Sequence, residues 1–310
     1  MVFIHKFLNV VLPLLTLVTI LLFLPPFFIY KLFNYTIKAF RQTEKLAGKV
    51  VLITGASSGI GEHLAYEYAK RGASLALAAR REDRLRAVAA KAVGLGSPDA
   101  FVIRADVSKV EDCKRLVDET VNHFGQLDYL INNAGALQAI LIEDFTEFSK
   151  IRSIMDINFW GSVYCTQFAI PHLRKGNGKI VVISSIGAWL SPPRLGIYSA
   201  SKAAQLCFFE ALKAELGSDI GITIVSPGLI ESEMTKDEFF SQTRVKGFPV
   251  ESGEMCAKAI VESACRGEMY LTEPYWWRVT FWFKVILPQL VQYYFHLTLI
   301  RMPWASNKDA

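Results

Sequence analysis

The chain has 310 residues, of which 52% are hydrophobic, and a formal net charge of +5 at pH 7. This length fits one domain with appendages. The mild charge, without Lys and Arg clustered in a known reading motif, argues against a nucleic-acid partner. Five scattered cysteines have neither metal nor disulfide spacing, so we predict core thiols and no metal site. They are Cys113, Cys165, Cys207, Cys256 and Cys265.

The first thirty residues form a hydrophobic segment, with no charged residue in 7–30. A helix of about 20 apolar residues crosses a bilayer, so this run is long enough to span one. Pro13, Pro25 and Pro26 each remove a helix hydrogen bond. If Pro25 ends the helix, the alternative is a bent hairpin in one leaflet. Because no small-residue cleavage site follows the run, we predict an uncleaved anchor over residues 1–30 rather than a signal peptide.

Residues 31–47 are predicted to be a basic linker after the anchor. The basic residues that follow the anchor are Lys31, Lys38, Arg41 and Lys45, against His5 and Lys6 before it. The positive-inside bias therefore favours a cytosolic location for the following domain, and the lumen is the alternative.

A glycine loop lies between a strand-like run, 49–54, and a helical stretch that ends near Lys70. Strand, glycine loop and helix in this order form the context of a dinucleotide-binding turn. Gly55 permits the tight turn, Gly59 lets the backbone approach a pyrophosphate, and Gly61 lets helix and strand pack closely. The helix start then offers free N–H groups to phosphates. The expected cofactor contacts in this loop are Gly55, Ser57, Ser58, Gly59, Ile60 and Gly61.

The second predicted strand, 74–79, indicates which nicotinamide cofactor is used. An NAD enzyme needs an acidic residue near this strand end to accept the ribose 2′-hydroxyl, and here the strand ends in Ala79. Arg80 is well placed to bind a 2′-phosphate through its bidentate guanidinium, assisted by Arg81 and Ser57. The alternative is that both arginines cap a solvated helix start with acidic neighbours. We predict NADP(H).

Three residues at fixed spacing, Ser185, Tyr198 and Lys202, point to carbonyl or alcohol chemistry. Tyr198 and Lys202 lie four apart in a helix-favouring run, 198–216, and so share one face. An ammonium there would stabilise a tyrosinate and lower the phenol's pKa from its usual value of about 10. Ser185 ends an apolar run, 179–185, typical of a buried parallel strand. Alone, the Tyr–Lys pair would be common on a solvated helix face.

With the glycine loop, these residues resemble the short-chain dehydrogenase/reductase family. The other matching motifs are Asn132-Asn133-Ala134-Gly135, Asn158 and Pro227-Gly228. The chain is most similar to the 11β-hydroxysteroid dehydrogenase-like subgroup, which includes the plant steroleosins of seed oil bodies. Strand and helix patterns alternate along the core, which predicts a parallel sheet covered on both faces. The resemblance implies a Rossmann-like, doubly wound α/β domain, predicted over 48–270.

By this resemblance, Tyr198 is the general acid/base, and Lys202 lowers its pKa and binds the nicotinamide ribose. Ser185 would hold the substrate carbonyl, because the spacing to Tyr198 selects it over the neighbouring Ser184. Asn158 would anchor a water that links Lys202 to solvent, and the alternative is a buried amide that satisfies a helix bend. The remaining implied cofactor contacts are Asp106, Val107, Asn133, Ala134, Gly135, Pro227, Gly228 and Ser232.

Two apolar stretches are expected near the substrate. The loop after the sixth strand, 229–250, contains Phe239, Phe240 and Phe248, which suits a sterol or another lipid carbonyl. It equally suits a loop packed on the C-terminal extension, 271–310. The Trp and Tyr residues of that extension, with Lys and Arg, are typical of a membrane interface. The alternatives are a helix pair that closes the cleft or packs on a dimer partner.

We therefore predict an NADP(H)-dependent 11β- or 17β-hydroxysteroid dehydrogenase on a lipid droplet or the endoplasmic reticulum membrane. The family implies a homodimer, through helices near 153–172 and 198–217. One alternative is a structural or sterol-sensing coat protein of lipid droplets, and another is a reductase of a non-steroid lipid carbonyl. The intact set of Asn158, Ser185, Tyr198 and Lys202 argues against a purely structural role.

Overall fold

The computed structural model describes residues 2–40, 44–245 and 247–301. Its internal contacts divide the chain into two units, Met1–Glu44 and Lys45–Ala310.

The first unit is a single helix, α1 (Val2–Phe40), which continues through Pro13, Pro25 and Pro26. Each proline removes one helix hydrogen bond and crowds the carbonyl four residues earlier, yet the helix is continuous past all three. The bent hairpin is therefore not what forms, and the helix extends into the segment predicted as a linker. The stretch Val2–Tyr30 is long and apolar enough to cross a membrane by length and composition, and it is unburied.

The second unit is built on a seven-stranded parallel sheet in the order β3-β2-β1-β4-β5-β6-β7. This confirms the predicted doubly wound fold. The strands are β1 (Val50–Thr54), β2 (Ser74–Ala79), β3 (Ala100–Arg104), β4 (Tyr129–Asn132), β5 (Lys179–Ile183), β6 (Gly221–Pro227) and β7 (Tyr270–Glu273).

Six of the helices that the structure describes in this unit cover the two faces of the sheet. The α-helices of the unit are α2 (Gly59–Ala69), α3 (Glu82–Gly94), α4 (Val110–Phe124), α5 (Phe148–Met155), α6 (Gly161–Lys175), α7 (Gly196–Leu216), α8 (Asp237–Thr243), α9 (Gly253–Cys265), α10 (Arg278–Ile286) and α11 (Pro288–Phe295). Helices α2, α3 and α9 pack on one face, and α4, α6 and α7 pack on the other.

Strand side chains alternate between these two layers. In β1, Val51 and Ile53 join the core under α2, α3 and α9, while Val50 and Leu52 join the core under α4, α6 and α7. Because both faces are buried, the strand is a continuous apolar run rather than an alternating one.

The cysteines contribute to these cores without forming disulfides. Cys113, Cys165 and Cys256 are buried, as predicted for core thiols, and Cys265 is half-buried. Cys207 lies exposed on α7, so the core prediction is wrong for that residue.

The strand order reverses between β1 and β4, which is where open α/β sheets bind ligands at their carboxyl ends. Thr54, which is 2% exposed, joins these two strand ends. Its hydroxyl donates to the Ile131 carbonyl at 3.1 Å and accepts from the amides of Asn133 at 3.0 Å and Ala134 at 3.1 Å. One hydroxyl at the end of an apolar strand therefore shapes the turn beside the glycine loop.

Thr54→Val keeps the side-chain shape but leaves the Ala134 amide without its acceptor. We expect the free energy of unfolding to fall by about 1–3 kcal/mol, the cost of a buried unsatisfied donor. Thr54→Ser, which keeps the hydroxyl, should retain most of the stability. Urea unfolding of the full chain in detergent measures both. A Val variant as stable as wild type would show that the hydroxyl does not hold the two strands.

Candidate active site

A cavity of about 620 Å³ opens at the carboxyl ends of the strands. It is lined by the residues that follow β1, β2, β3, β4, β5 and β6. All predicted catalytic and cofactor residues line it except Gly61 and Asn158, which lie directly behind its wall. Those that line it are Gly55, Ser57, Ser58, Gly59, Ile60, Arg80, Arg81, Asp106, Val107, Asn133, Ala134, Gly135, Ser185, Tyr198, Lys202, Pro227, Gly228 and Ser232.

The glycine loop forms a cradle that side chains would fill. Gly55 has a φ of +66°, and a Cβ there would lie 2.7 Å from the Ala134 Cα. A Cβ on Gly61 would overlap the Asn133 amide nitrogen and the Gly55 carbonyl. Gly61 therefore allows the glycine loop to contact the turn after β4. The sequence predicted a different reason for this glycine, namely close packing of helix and strand.

Helix α2 begins at Gly59, and its N-cap residue Ser58 makes no side-chain capping bond. The first N–H groups of the helix therefore remain available beside the cavity. An open helix start and a glycine cradle fit the pyrophosphate of a nicotinamide dinucleotide.

Arg81 is the arginine that reaches the glycine loop. Its Nη2 donates to the Ser57 hydroxyl at 3.1 Å and to the Ser58 hydroxyl at 2.6 Å, and its Nη1 donates to Glu233 at 2.7 Å. Arg80, the residue favoured from the sequence, lines the same cavity from an exposed position. The alternative of a simple helix cap does not describe Arg81, whose partners lie in other loops.

The two candidate serines after β5 point to different partners. The Ser185 hydroxyl accepts from the Gly187 amide at 3.0 Å and hydrogen-bonds the Tyr198 phenol. The Ser184 hydroxyl donates to the Lys202 carbonyl on α7 at 3.1 Å. Of the two, Ser185 is therefore the hydroxyl that lies beside Tyr198.

Lys202 is 3% exposed, and its ammonium is bonded to the protein rather than to the phenol. Its Nζ donates to the Ile183 carbonyl at 2.7 Å and to the Gln205 amide oxygen at 3.1 Å, and it lies 5.9 Å from the Tyr198 ring centre. Burial lowers the pKa of Lys202 to about 7. Burial also raises the pKa of Tyr198, and the Ser185 hydrogen bond offsets part of that increase.

The expected lowering of the Tyr198 pKa is thus not what this arrangement produces. Burial disfavours the charged form of both groups, and Lys202 does not donate to the phenolate position here.

A buried polar chain extends from Lys202 away from the cavity. The Gln205 amide donates to the Ser162 hydroxyl at 2.7 Å, and Ser162 donates to the Asn158 carbonyl at 3.0 Å. Gln205 and Ser162 were not among the residues predicted for the site. Their signal would have been polar residues on the buried faces of predicted helices.

Asn158 lies in a π-helical segment, Asp156–Trp160, between α5 and α6. Its side chain pairs with the backbone of Ala136, accepting at 2.7 Å and donating at 2.9 Å, and also donates to the Ser201 hydroxyl at 2.8 Å. Asn158 therefore joins the turn after β4 to α7. Such π-bulges occur frequently at functional sites.

The far end of the cavity is apolar. Leu195, Leu229, Phe239 and Trp277 form a buried cluster there. Phe248 and Phe295 also line the cavity, so the loop after β6 and the C-terminal helices both contribute to it. The contributions of Trp277 and Phe295 support the interpretation of the extension as a closing element.

Residues 49–242 match the family model described as short chain dehydrogenase, which is more than half of the chain. The protein belongs to the short-chain dehydrogenase/reductase family and is an oxidoreductase.

The chain is similar along almost its full length to proteins named 11-beta-hydroxysteroid dehydrogenase. It is 50% identical to form A of Sesamum indicum, covering 99% of this chain and 91% of that protein. It is 51% identical to form 1A of Arabidopsis thaliana, covering 94% and 86%. Among solved structures, it is 32% identical to a dehydrogenase/reductase from Sinorhizobium meliloti, with a TM-score of 0.68 over 74% of this chain and 94% of that one.

A second solved structure is an archaeal alcohol dehydrogenase from Thermococcus sibiricus complexed with 5-hydroxy-NADP. It is 25% identical, with a TM-score of 0.64, and the match covers 72% of this chain and 95% of that one.

Lys202→Met removes a buried ammonium but leaves the Ile183 carbonyl and the Gln205 amide oxygen without a donor. Relative to wild type, the free energy of unfolding of the variant should therefore be about 3 kcal/mol higher at pH 7 than at pH 10. The lysine pKa is 10.5 when unfolded and about 7 when folded, so wild-type stability rises between those pH values. The gap between variant and wild type should be largest at pH 6–7 and shrink toward pH 10. Urea unfolding across this range tests it, with exposed Lys258→Met as the control. A gap that does not change with pH would contradict this account.

Proposed function

We propose that this oxidoreductase uses NADP(H) to interconvert a sterol-like alcohol and its ketone at a membrane or lipid-droplet surface. The observation that carries the proposal is one cavity with a dinucleotide cradle at one end and an apolar chamber at the other. Ser185, Tyr198 and Lys202 line the same cavity, which supports a reaction there.

The proposed chemistry uses Tyr198 as the proton donor to the substrate oxygen. Its pKa is raised by burial, so the phenol holds its proton at neutral pH and is suited to the reductive direction. Ser185 would donate a hydrogen bond to the same oxygen. Lys202, with a pKa near 7, can lose and regain a proton near neutral pH. NADP(H), when bound, supplies or accepts the hydride.

Two features support NADP(H) over NAD(H). The second strand ends in Ala79, which leaves that strand without a carboxylate for a ribose 2′-hydroxyl. Arg80 and Arg81 line the cavity at this end, and guanidinium groups bind phosphate in a bidentate fork. The pyrophosphate would lie against Gly55, Gly59 and the start of α2. Asp106 and Val107 would lie beside the adenine, and Pro227 and Gly228 beside the nicotinamide.

A lipophilic substrate is supported by the apolar chamber and by the names of the relatives. Leu195, Leu229, Phe239 and Trp277 offer few polar groups, which suits a rigid apolar skeleton with one reacting oxygen. A Cβ on Gly228 would overlap the Trp277 indole, so glycine at this position leaves room for the ring.

Membrane association is supported by α1 and, separately, by the surface of α10 and α11. Exposed fractions are 56% for Trp282, 51% for Phe283, 69% for Ile286 and 64% for Tyr293. Exposed apolar patches of this kind mark membrane or protein interfaces, and a helix with aromatic and basic residues suits the headgroup region. Because Phe295 lines the cavity, a lipid would have a short path from such an interface to the site.

Turnover by purified full-length protein in detergent tests the enzyme proposal. NADPH oxidation is measured against 3-, 11- and 17-keto steroids, and NADP⁺ reduction against the corresponding alcohols. Tyr198→Phe should reduce turnover by about 10²-fold or more while NADPH binding persists, because only the proton donor is removed. Exposed Tyr293→Phe is the control. Full activity of Tyr198→Phe would exclude it as the proton donor.

If NADPH binds tightly but no steroid is turned over, the substrate is another lipid carbonyl or the protein is a lipid-droplet coat component. A panel of retinoid and long-chain ketones then separates these alternatives.

Deletion of residues 1–30 should release the protein from microsomes or lipid droplets, because it removes most of the unburied apolar helix. Flotation of the shortened and full-length chains on a density gradient measures this. If the shortened chain stays bound, α10 and α11 hold it, and adding Trp282→Ser and Phe283→Ser should then release it. Binding that survives all three changes would contradict both anchors.

A further inference from the structure

The Glu233 carboxylate is hydrogen-bonded to two arginines, of which Arg81 lines the cofactor end of the cavity. One carboxylate oxygen accepts from Arg81 Nη1 at 2.7 Å, and the other accepts from Arg84 Nη1. Arg81 also donates to the hydroxyls of Ser57 and Ser58, so one guanidinium joins Glu233 to the glycine loop. Except for Arg84, these residues line the cavity.

A carboxylate held between two guanidinium groups has the charge and acceptor geometry of a bound phosphate. We propose that Glu233 is an internal competitor for the 2′-phosphate of NADP(H) at Arg81, and so sets how strongly the enzyme prefers NADP(H) to NAD(H). This inference rests on the NADP(H) preference proposed above. A 2′-phosphate must displace Glu233 from Arg81, whereas a 2′-hydroxyl can accept or donate beside the intact pair.

The competition operates across the physiological pH range. The hydrogen bonds from Arg81 and Arg84 hold the pKa of Glu233 at about 2, so the carboxylate is ionised. The side chain of Glu233 is 38% exposed and that of Arg81 is 44% exposed, so each pair is partly screened by solvent. The contribution of such pairs is modest, which makes displacement by a doubly charged phosphate feasible.

The position of Glu233 connects this competition to the substrate end. It begins a short 3₁₀ turn, Glu233–Thr235, which Ser232 caps and α8 follows. Phe239 of α8 is in the buried cluster of the apolar chamber. Release of Glu233 would therefore remove one of the contacts that hold this turn, whereas the hydrogen bonds of Thr235 to Ser232 and Ile230 would remain.

The experiment compares Glu233→Gln with Glu231→Gln in full-length protein. Glu231 is exposed two residues away, so its substitution removes the same charge from the same segment. Dissociation constants are measured by calorimetry for NADPH, NADH, 2′,5′-ADP and 5′-AMP. The last two probes contain the adenosine end without nicotinamide, so their binding is independent of catalysis. Glu233→Ala is a second variant, and thermal melting confirms that each variant is folded.

Glu233→Gln should tighten NADPH and 2′,5′-ADP binding by about three- to tenfold, as loss of one or two partly exposed ion pairs allows. NADH and 5′-AMP binding should not tighten, and Glu231→Gln should behave as wild type. Unchanged or weaker NADPH binding in both Glu233 variants would overturn the competition.

The variant Arg81→Ala distinguishes an error in the proposed role of Glu233 from an error in the proposed NADP(H) preference. Suppose that Glu233→Gln has no effect on NADPH binding. If wild type still prefers NADPH and Arg81→Ala abolishes that preference, only the proposed role of Glu233 is wrong. If wild type binds NADH as tightly as NADPH and Arg81→Ala changes neither, the NADP(H) proposal itself fails.

Discussion

The contact between the glycine loop and the turn after β4 is the constraint on which the site depends. Gly55 and Gly61 approach this turn so closely that a Cβ on either would meet Ala134 or Asn133. Thr54 bonds the same two residues from the end of β1. Because the sheet order reverses between β1 and β4, this contact sets the floor of the cleft. The position of the helix start beside the cavity and the position of Asn133 both follow from it.

A second constraint comes from polar groups beneath the apolar helices. Buried polar atoms need partners, and a fully bonded network orients its members. Lys202 is held by Ile183 and Gln205, and Gln205 is held in turn by Ser162. Asn158 joins this network through the carbonyl that accepts from Ser162. The ammonium is thereby fixed on α7 without an acidic partner, which is why burial alone dominates its pKa.

Local features of this fold could be predicted from residue patterns, and the shared site from the family resemblance, whereas individual contacts between distant segments could not. Strand β2, Ser74–Ala79, follows from an apolar run between Gly72 and Arg80. The shared face of Tyr198 and Lys202 follows from helical spacing. In contrast, the partner of Arg81 is Glu233, far along the chain, and no local pattern links them.

The segment after β6 contributes residues to both the polar end and the apolar end of the cavity. Its first turn places the Glu233 carboxylate against the Arg81 guanidinium. Its following helix places Phe239 in the buried apolar cluster with Leu195 and Trp277. Glu233 and Phe239 are only six residues apart in the chain, and both line the cavity. One short segment thus supplies both a charged residue and an aromatic residue to the same cavity, because the turn and the helix that carry them are consecutive in the chain.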